Sequence, residues 1–131
     1  MPVERPINHL LKAERALESA RLLLQDGDLD GAGNRCYYAM FDAARAALLT
    51  QNPGLDPQFA KTHSGLMSVF NQRLVRENKI GRDIGKLLKR AEELRVLADY
   101  TLTELTHQDV AALIESAEQF LKAMRGLCDG H

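Results

Sequence analysis

Arg95 stands where the spacing of its neighbours calls for an apolar side chain. Ile84, Leu88, Ala91, Ala98 and Leu102 recur at three- and four-residue intervals, which on a helix makes one stripe with Arg95 in its middle. A guanidinium keeps its proton in any protein environment, and enclosing it without a partner costs several kcal/mol. It must therefore meet a carboxylate of its own fold, a second subunit, or an anionic ligand such as phosphate. Asp99 follows one turn later on the same side, and Asp42 lies on an earlier predicted helix. An i,i+4 pair with the acid after the base contributes only a few tenths of a kcal/mol when exposed. Two readings stay open: Arg95 pairs with Asp99 or Asp42 and pins the bundle, or it lines a cleft or subunit seam and meets phosphate.

Tyr100 points away from that stripe, so its phenol is accessible or faces a second surface. Asn34, Arg35, Tyr37 and Tyr38 form a second polar and aromatic group, with Tyr37 falling to the core and Arg35 and Tyr38 to an edge. Other chemistry is thinly represented. His9, His63, His107 and His131 are scattered, and there is no phosphate-binding Gly-rich loop, no HExxH and no Cys/His metal spacing. The sequence thus predicts no metal and no cofactor, and a hydrolase triad is unsupported. Cys36 and Cys128 are far apart, and Cys36 lies in an apolar stretch where a free thiol behaves as a small hydrophobe.

The elements that must position these residues are helical. Prolines fall only at 2, 6, 53 and 57, and helix-favouring residues abound. Leu10, Ala13, Leu17, Ala20 and Leu24 predict a first helix from about Ile7 to Gln25, stopped by Gly27. A second, capped by Asp28 or Asp30 and reaching about Thr50, is apolar nearly all round and therefore central. Asn52-Pro53-Gly54 ends it, and a loop follows to about Ala60. A third helix runs from Thr62 to near Glu77, with Leu66, Met67, Phe70 and Leu74 inward. A fourth covers about Arg82 to Leu102. The fifth opens on Thr106-His107-Gln108-Asp109, a capping box with Asp for Glu, followed by Val110, Leu113, Ile114, Ala117, Leu121 and Met124. This is an all-α, antiparallel bundle of about five helices, and 131 residues suit one domain.

Charge and termini bound the setting. The formal net charge is −1, yet Arg73 to Arg95 holds eight bases against four acids, a run that either meets a phosphate backbone or is the solvated face of a helix. The opening MPVERPINHL has no apolar core of a leader, and no window is apolar enough to span a bilayer. A cytoplasmic protein with no membrane contact is expected.

Three segments together resemble the HEPN superfamily, in its small stand-alone bacterial and archaeal members. They are Asn34-Arg35-Cys36-Tyr37-Tyr38-Ala39-Met40-Phe41, Lys61-Thr62-His63-Ser64-Gly65-Leu66, and Glu93-Leu94-Arg95-Val96-Leu97-Ala98-Asp99-Tyr100. The resemblance implies a HEPN-like bundle, a homodimer, and metal-independent RNase activity at the two-fold interface. It also implies a toxin–antitoxin or defence setting with a minimal nucleotidyltransferase as partner. Arg95 matches the family's motif arginine. The family's histidine, four to six residues on, has no counterpart: after four intervening residues comes Tyr100, then Thr101 and Leu102.

That departure bears on chemistry, because imidazole titrates near neutral pH whereas an unperturbed tyrosine, with a pKa of ~10, is a poor base. Three readings follow. In the first, Arg95 and Tyr100 form the catalytic pair of an endoribonuclease, with Asn34, Arg35, Tyr38, His63 and Asp99 binding RNA, nucleotide or partner. In the second, the protein is a binding partner of a nucleotidyltransferase, and Tyr100 accepts a nucleotidyl group, as a modified tyrosine does in some family members. In the third, it is a scaffold dimer without ligand chemistry.

Overall fold

Pro6 opens the first helix, where its fixed φ suits the geometry and its missing N–H would have had no partner; α1 runs Pro6–Asp26. The helix stops at Gly27, whose φ of 87° permits a Schellman turn. There the N–H of Gly27 donates to Leu24 at 3.1 Å and that of Asp28 to Leu23 at 2.9 Å. Asp28 then caps α2 (Leu29–Gln51), its carboxylate accepting from the Gly31 N–H at 2.9 Å. The computed structural model describes residues 5–101 and 104–129.

α2 is the central element. Tyr37, Met40, Ala43, Ala44, Ala47 and Leu48 are wholly buried, and α2 packs against α1, α3, α4 and α5, as a helix apolar all round must. From α1, Leu10, Ala13, Leu17 and Ala20 enter the core, while Leu24, near the exposed end, is only half-buried. α5 (His107–Asp129) contributes its whole predicted stripe and adds Phe120, whose ring meets that of Phe70 at 5.8 Å. Its cap is the reciprocal box: the Thr106 N–H donates to Asp109 and the Asp109 N–H to the Thr106 hydroxyl, both at 3.0 Å.

The middle of the chain departs from expectation. Part of the loop before Ala60 is a 3-10 turn, Pro57–Lys61, opened by the Asp56 carboxylate. The third helix is not continuous α-helix to Glu77. α3 spans His63–Phe70, a π-wound turn follows over Asn71–Val75, and Asn78, with φ 57°, ends the run. Leu66, Phe70 and Leu74, four apart, are all fully buried. Regular α-winding would carry every fourth residue progressively around the axis, and the wider turn brings Leu74 back to the inner face. Met67 is half-buried rather than core.

α4 covers Arg82–Tyr100, with Leu88 and Ala91 buried and Ile84 and Ala98 half-buried. Leu102, expected to complete its stripe, lies outside the described residues, as does His131. Among the described residues there is no strand, so the fold is all-α with five α-helices. No helix there is long and apolar enough to cross a membrane.

Candidate functional site

Three elements converge on Tyr37. α2 supplies the ring from its buried side. α3 supplies His63 at its first position, set there because the Thr62 hydroxyl accepts from the Gly65 N–H at 2.9 Å and so fixes where the helix starts. α4 supplies Arg95 from its middle. Gly65 is needed for this approach: a Cβ there would meet the Phe59 carbonyl oxygen at 2.5 Å, so the 3-10 turn passes too close for any side chain.

The Tyr37 hydroxyl lies 2.6 Å from Nδ1 of His63. Burial of the phenol, reinforced by Glu92 and only partly countered by Arg95, pushes its pKa well above the ordinary tyrosine value. Tyr37 therefore stays protonated. With a neutral imidazole, the phenol donates to Nδ1, which leaves the ring proton on Nε2. His63 is half-buried, so Nε2 is the nitrogen left for a ligand. The rings of Tyr38 and Phe41 complete the group, centred 6.1 and 5.5 Å from the imidazole.

The Arg95 guanidinium carbon stands over the Tyr37 ring, 5.1 Å from its centroid, a cation–π contact. One terminal nitrogen of Arg95 donates to Asp99 at 3.1 Å, and the Arg95 side chain is 14% exposed against 55% for Asp99. Its Nε is enclosed and has no hydrogen-bond partner among the described residues. Beside it is a crevice of about 10 Å³ lined in part by Asn34, Asp99 and Leu105, room for a single water at most. Arg95 is thus a mostly buried cation answered by one half-solvated carboxylate.

The predicted residues divide accordingly. Arg95, Asp99, Asn34, Tyr38 and His63 come together around Tyr37. The alternative pairing of Arg95 with Asp42 does not occur: Asp42 is buried on the α1 side of α2, in the field of Lys12, Arg45 and His9. Arg35 likewise turns toward α1. Tyr100 is 76% exposed and, five residues beyond Arg95, lies about 140° around α4, on an outward flank with the exposed Val96 and Leu97. Of the basic run from Arg73 to Arg95, the other seven bases are exposed, and Arg95 alone is drawn inward. Sequence reasoning placed Tyr37 in the core and His63 among the candidate binding residues, without joining the two. The rule that could have joined them is that a buried tyrosine hydroxyl requires a partner.

The HEPN domain matches this chain over residues 8–127. The chain belongs to the HEPN family. Among HEPN relatives, the chain is similar to an UPF0332 protein of Thermotoga maritima, 38% identical over 90% of this chain and 86% of the relative. An UPF0332 protein of Gloeobacter violaceus is 36% identical over 85% of this chain and 86% of its own. A Methanocaldococcus jannaschii protein bearing the name "Putative toxin MJ0605" is 34% identical over 86% of this chain and 81% of its own.

Proposed function

We propose that this HEPN protein is the RNA-acting, toxin-type component of a toxin–antitoxin or defence module, working as a homodimer without a metal. The observation that carries the reading is Arg95: a mostly buried guanidinium whose Nε has no partner among the described residues, one half-exposed carboxylate, and an imidazole hydrogen-bonded to the tyrosine under the guanidinium. Similarity to archaeal relatives named as toxins supports the setting.

In this reading Arg95 holds a non-bridging phosphate oxygen and stabilises the charge that grows as the 2′-oxygen attacks phosphorus. The bond from the 2′-oxygen to phosphorus forms and that to the 5′-oxygen breaks. The proton lost from the 2′-hydroxyl passes to solvent water and the leaving 5′-oxygen takes one from water, while His63, with its Nε2–H left over by the bond to Tyr37, donates to a non-bridging phosphate oxygen. Asp99, displaced or retained, tunes the charge of Arg95, and Asn34 and Tyr38 flank the bound strand. The test is cleavage of RNA in EDTA by wild type, Arg95→Ala and His63→Ala. Both variants should lose activity; undiminished cleavage by Arg95→Ala would overturn the reading.

A second reading is favoured by the exposure of Tyr100. An accessible phenol one helix flank from Arg95 suits a nucleotidyl acceptor presented to a transferase. Mass spectrometry after incubation with a cognate nucleotidyltransferase and ATP tests it, and the absence of an adduct on Tyr100 removes it.

A further inference from the structure

We infer that the groove between α1 and α2 is a track for single-stranded RNA that leads into the Arg95–His63 site, with phosphates held by its cations and a base stacked on Tyr38. The inference rests on the proposed action at Arg95 but concerns a different surface. The groove has a volume of about 440 Å³. On α1, Lys12, Arg15 and Ser19 share one face at three- and four-residue spacing; on α2, Arg35, Tyr38, Asp42 and Arg45 form the facing stripe. Two regular helix faces thus build one concave surface, unlike the dispersed bases of the Arg73–Arg95 run.

The charges in the groove are not balanced from within. Lys12, Arg15 and Arg35 are exposed and make no ion pair among the described residues. Lys12 and Arg15 are like charges three apart, a spacing that disfavours a helix. The groove's one acid, Asp42, is 5% exposed and lies in the field of Lys12 and Arg45, so it answers the floor and not the rim. Three exposed cations, Lys12, Arg15 and Arg35, on one concavity of a chain of net charge −1 concentrate positive potential where a polyanion would lie.

Tyr38 links this groove to the site. Tyr38 is 37% exposed and lines the groove, yet its ring centroid is 5.3 Å from that of Tyr37 and 6.1 Å from that of His63. Arg45, held over the Phe41 ring at 5.2 Å, also borders a second hollow of about 400 Å³ beside Lys61. That hollow, lined also by Asp56, reaches the turn that precedes His63. A partly exposed aromatic ring between cations suits an unpaired base, because stacking requires the base to be out of a duplex, and it offers little to an acidic peptide.

The test is fluorescence anisotropy with a short fluorescein-labelled oligouridylate, 2′-O-methylated so that it is not cut, alongside a duplex of equal length and polyglutamate as competitor. The Arg15→Ala/Arg35→Ala double variant, altered at two exposed positions, should bind more weakly and lower the slope of log affinity against log salt by about 1.4. Tyr38→Ala should weaken binding roughly tenfold without changing the slope, and Tyr38→Phe should restore it. Unchanged binding in these variants, equal affinity for the duplex, displacement by polyglutamate regardless of Tyr38, or a wild type that does not bind the oligonucleotide would each overturn the track. Groove variants that bind and cut like wild type while Arg95→Ala is inactive remove the track and leave the proposed function. Groove-dependent binding by a protein that cuts no RNA keeps the track and removes the cleavage.

Discussion

The Tyr37 hydroxyl and the Nδ1 atom of His63 are 2.6 Å apart across 26 residues of sequence, so one hydrogen bond ties the centre of α2 to the first residue of α3. Arg95 lies over the same ring, and all three helices register on one phenol.

Tyr37→Phe keeps the ring and removes that tie. It should cost about 0.5–1.5 kcal/mol in urea denaturation, with a larger proportional loss in RNA cleavage, because His63 is no longer oriented. Tyr37→Ala also empties a fully buried site and should cost about 3–5 kcal/mol. A Tyr37→Phe protein that matches wild type in both measurements would show that the bond orients nothing.

Arg95→Met preserves the apolar stem against Tyr37 while deleting the charge. Stability should stay within about 1 kcal/mol of wild type or rise, as replacement of a buried ion often allows, whereas RNA cleavage should be lost. Asp99→Asn removes one side of a pair whose acid is half in water, worth about 0–1 kcal/mol, and should tighten binding of RNA by leaving Arg95 unanswered. Retained cleavage by Arg95→Met returns Arg95 to the role of a structural pin.

Asp42 gives a pH dependence of definite sign. Burial raises its carboxyl above the ordinary value of 3.8, with Lys12, Arg45 and His9 only partly opposing. The folded protein then holds that proton more tightly than the unfolded chain. The stabilisation is complete below the ordinary value and fades as pH rises through the raised one. Asp42→Asn cannot lose it, so the variant's urea midpoint should gain on wild type as pH climbs from the ordinary carboxylate range toward neutrality. A gap that narrows over that range contradicts the assignment.

Gly65→Ala should be among the more damaging small substitutions. Its Cβ would meet a backbone carbonyl at 2.5 Å and the capping hydroxyl of Thr62 at 2.8 Å, and a backbone atom has little room to yield. A loss of about 1–3 kcal/mol is expected, with reduced RNA cleavage because the start of α3 carries His63. Thermal denaturation and the cleavage assay together check it.

The two thiols should be distinguishable. Burial pushes the Cys36 thiol up to about 12, whereas Cys128 is raised less far, is half-exposed and is met by the Thr50 hydroxyl at 3.7 Å. Since the thiolate is the reacting form, iodoacetamide should label Cys128 first and reach Cys36 only on unfolding. Early labelling of Cys36 would mean that α2 opens readily.

The sequence alone determined the helices and their faces. Apolar residues at three- and four-residue spacing can be buried only on one side of a helix, and Gly27, Asp28 and the Thr106–Asp109 box act within a turn of where they stand, so both were legible from local order. It also exposed Arg95, because a charge inside an apolar stripe is a local contradiction. What answers that charge was decided by tertiary structure. Asp99 was the nearer candidate, but Asp42 stayed open until packing turned it toward α1, and the π-wound turn after Phe70 brings Leu74 to a core that other helices define. The meeting of Tyr37, His63 and Arg95, and the groove shared by α1 and α2, depend on how helices distant in sequence rotate against each other. Spacing along one helix does not encode that angle; only the burial of all their faces at once fixes it.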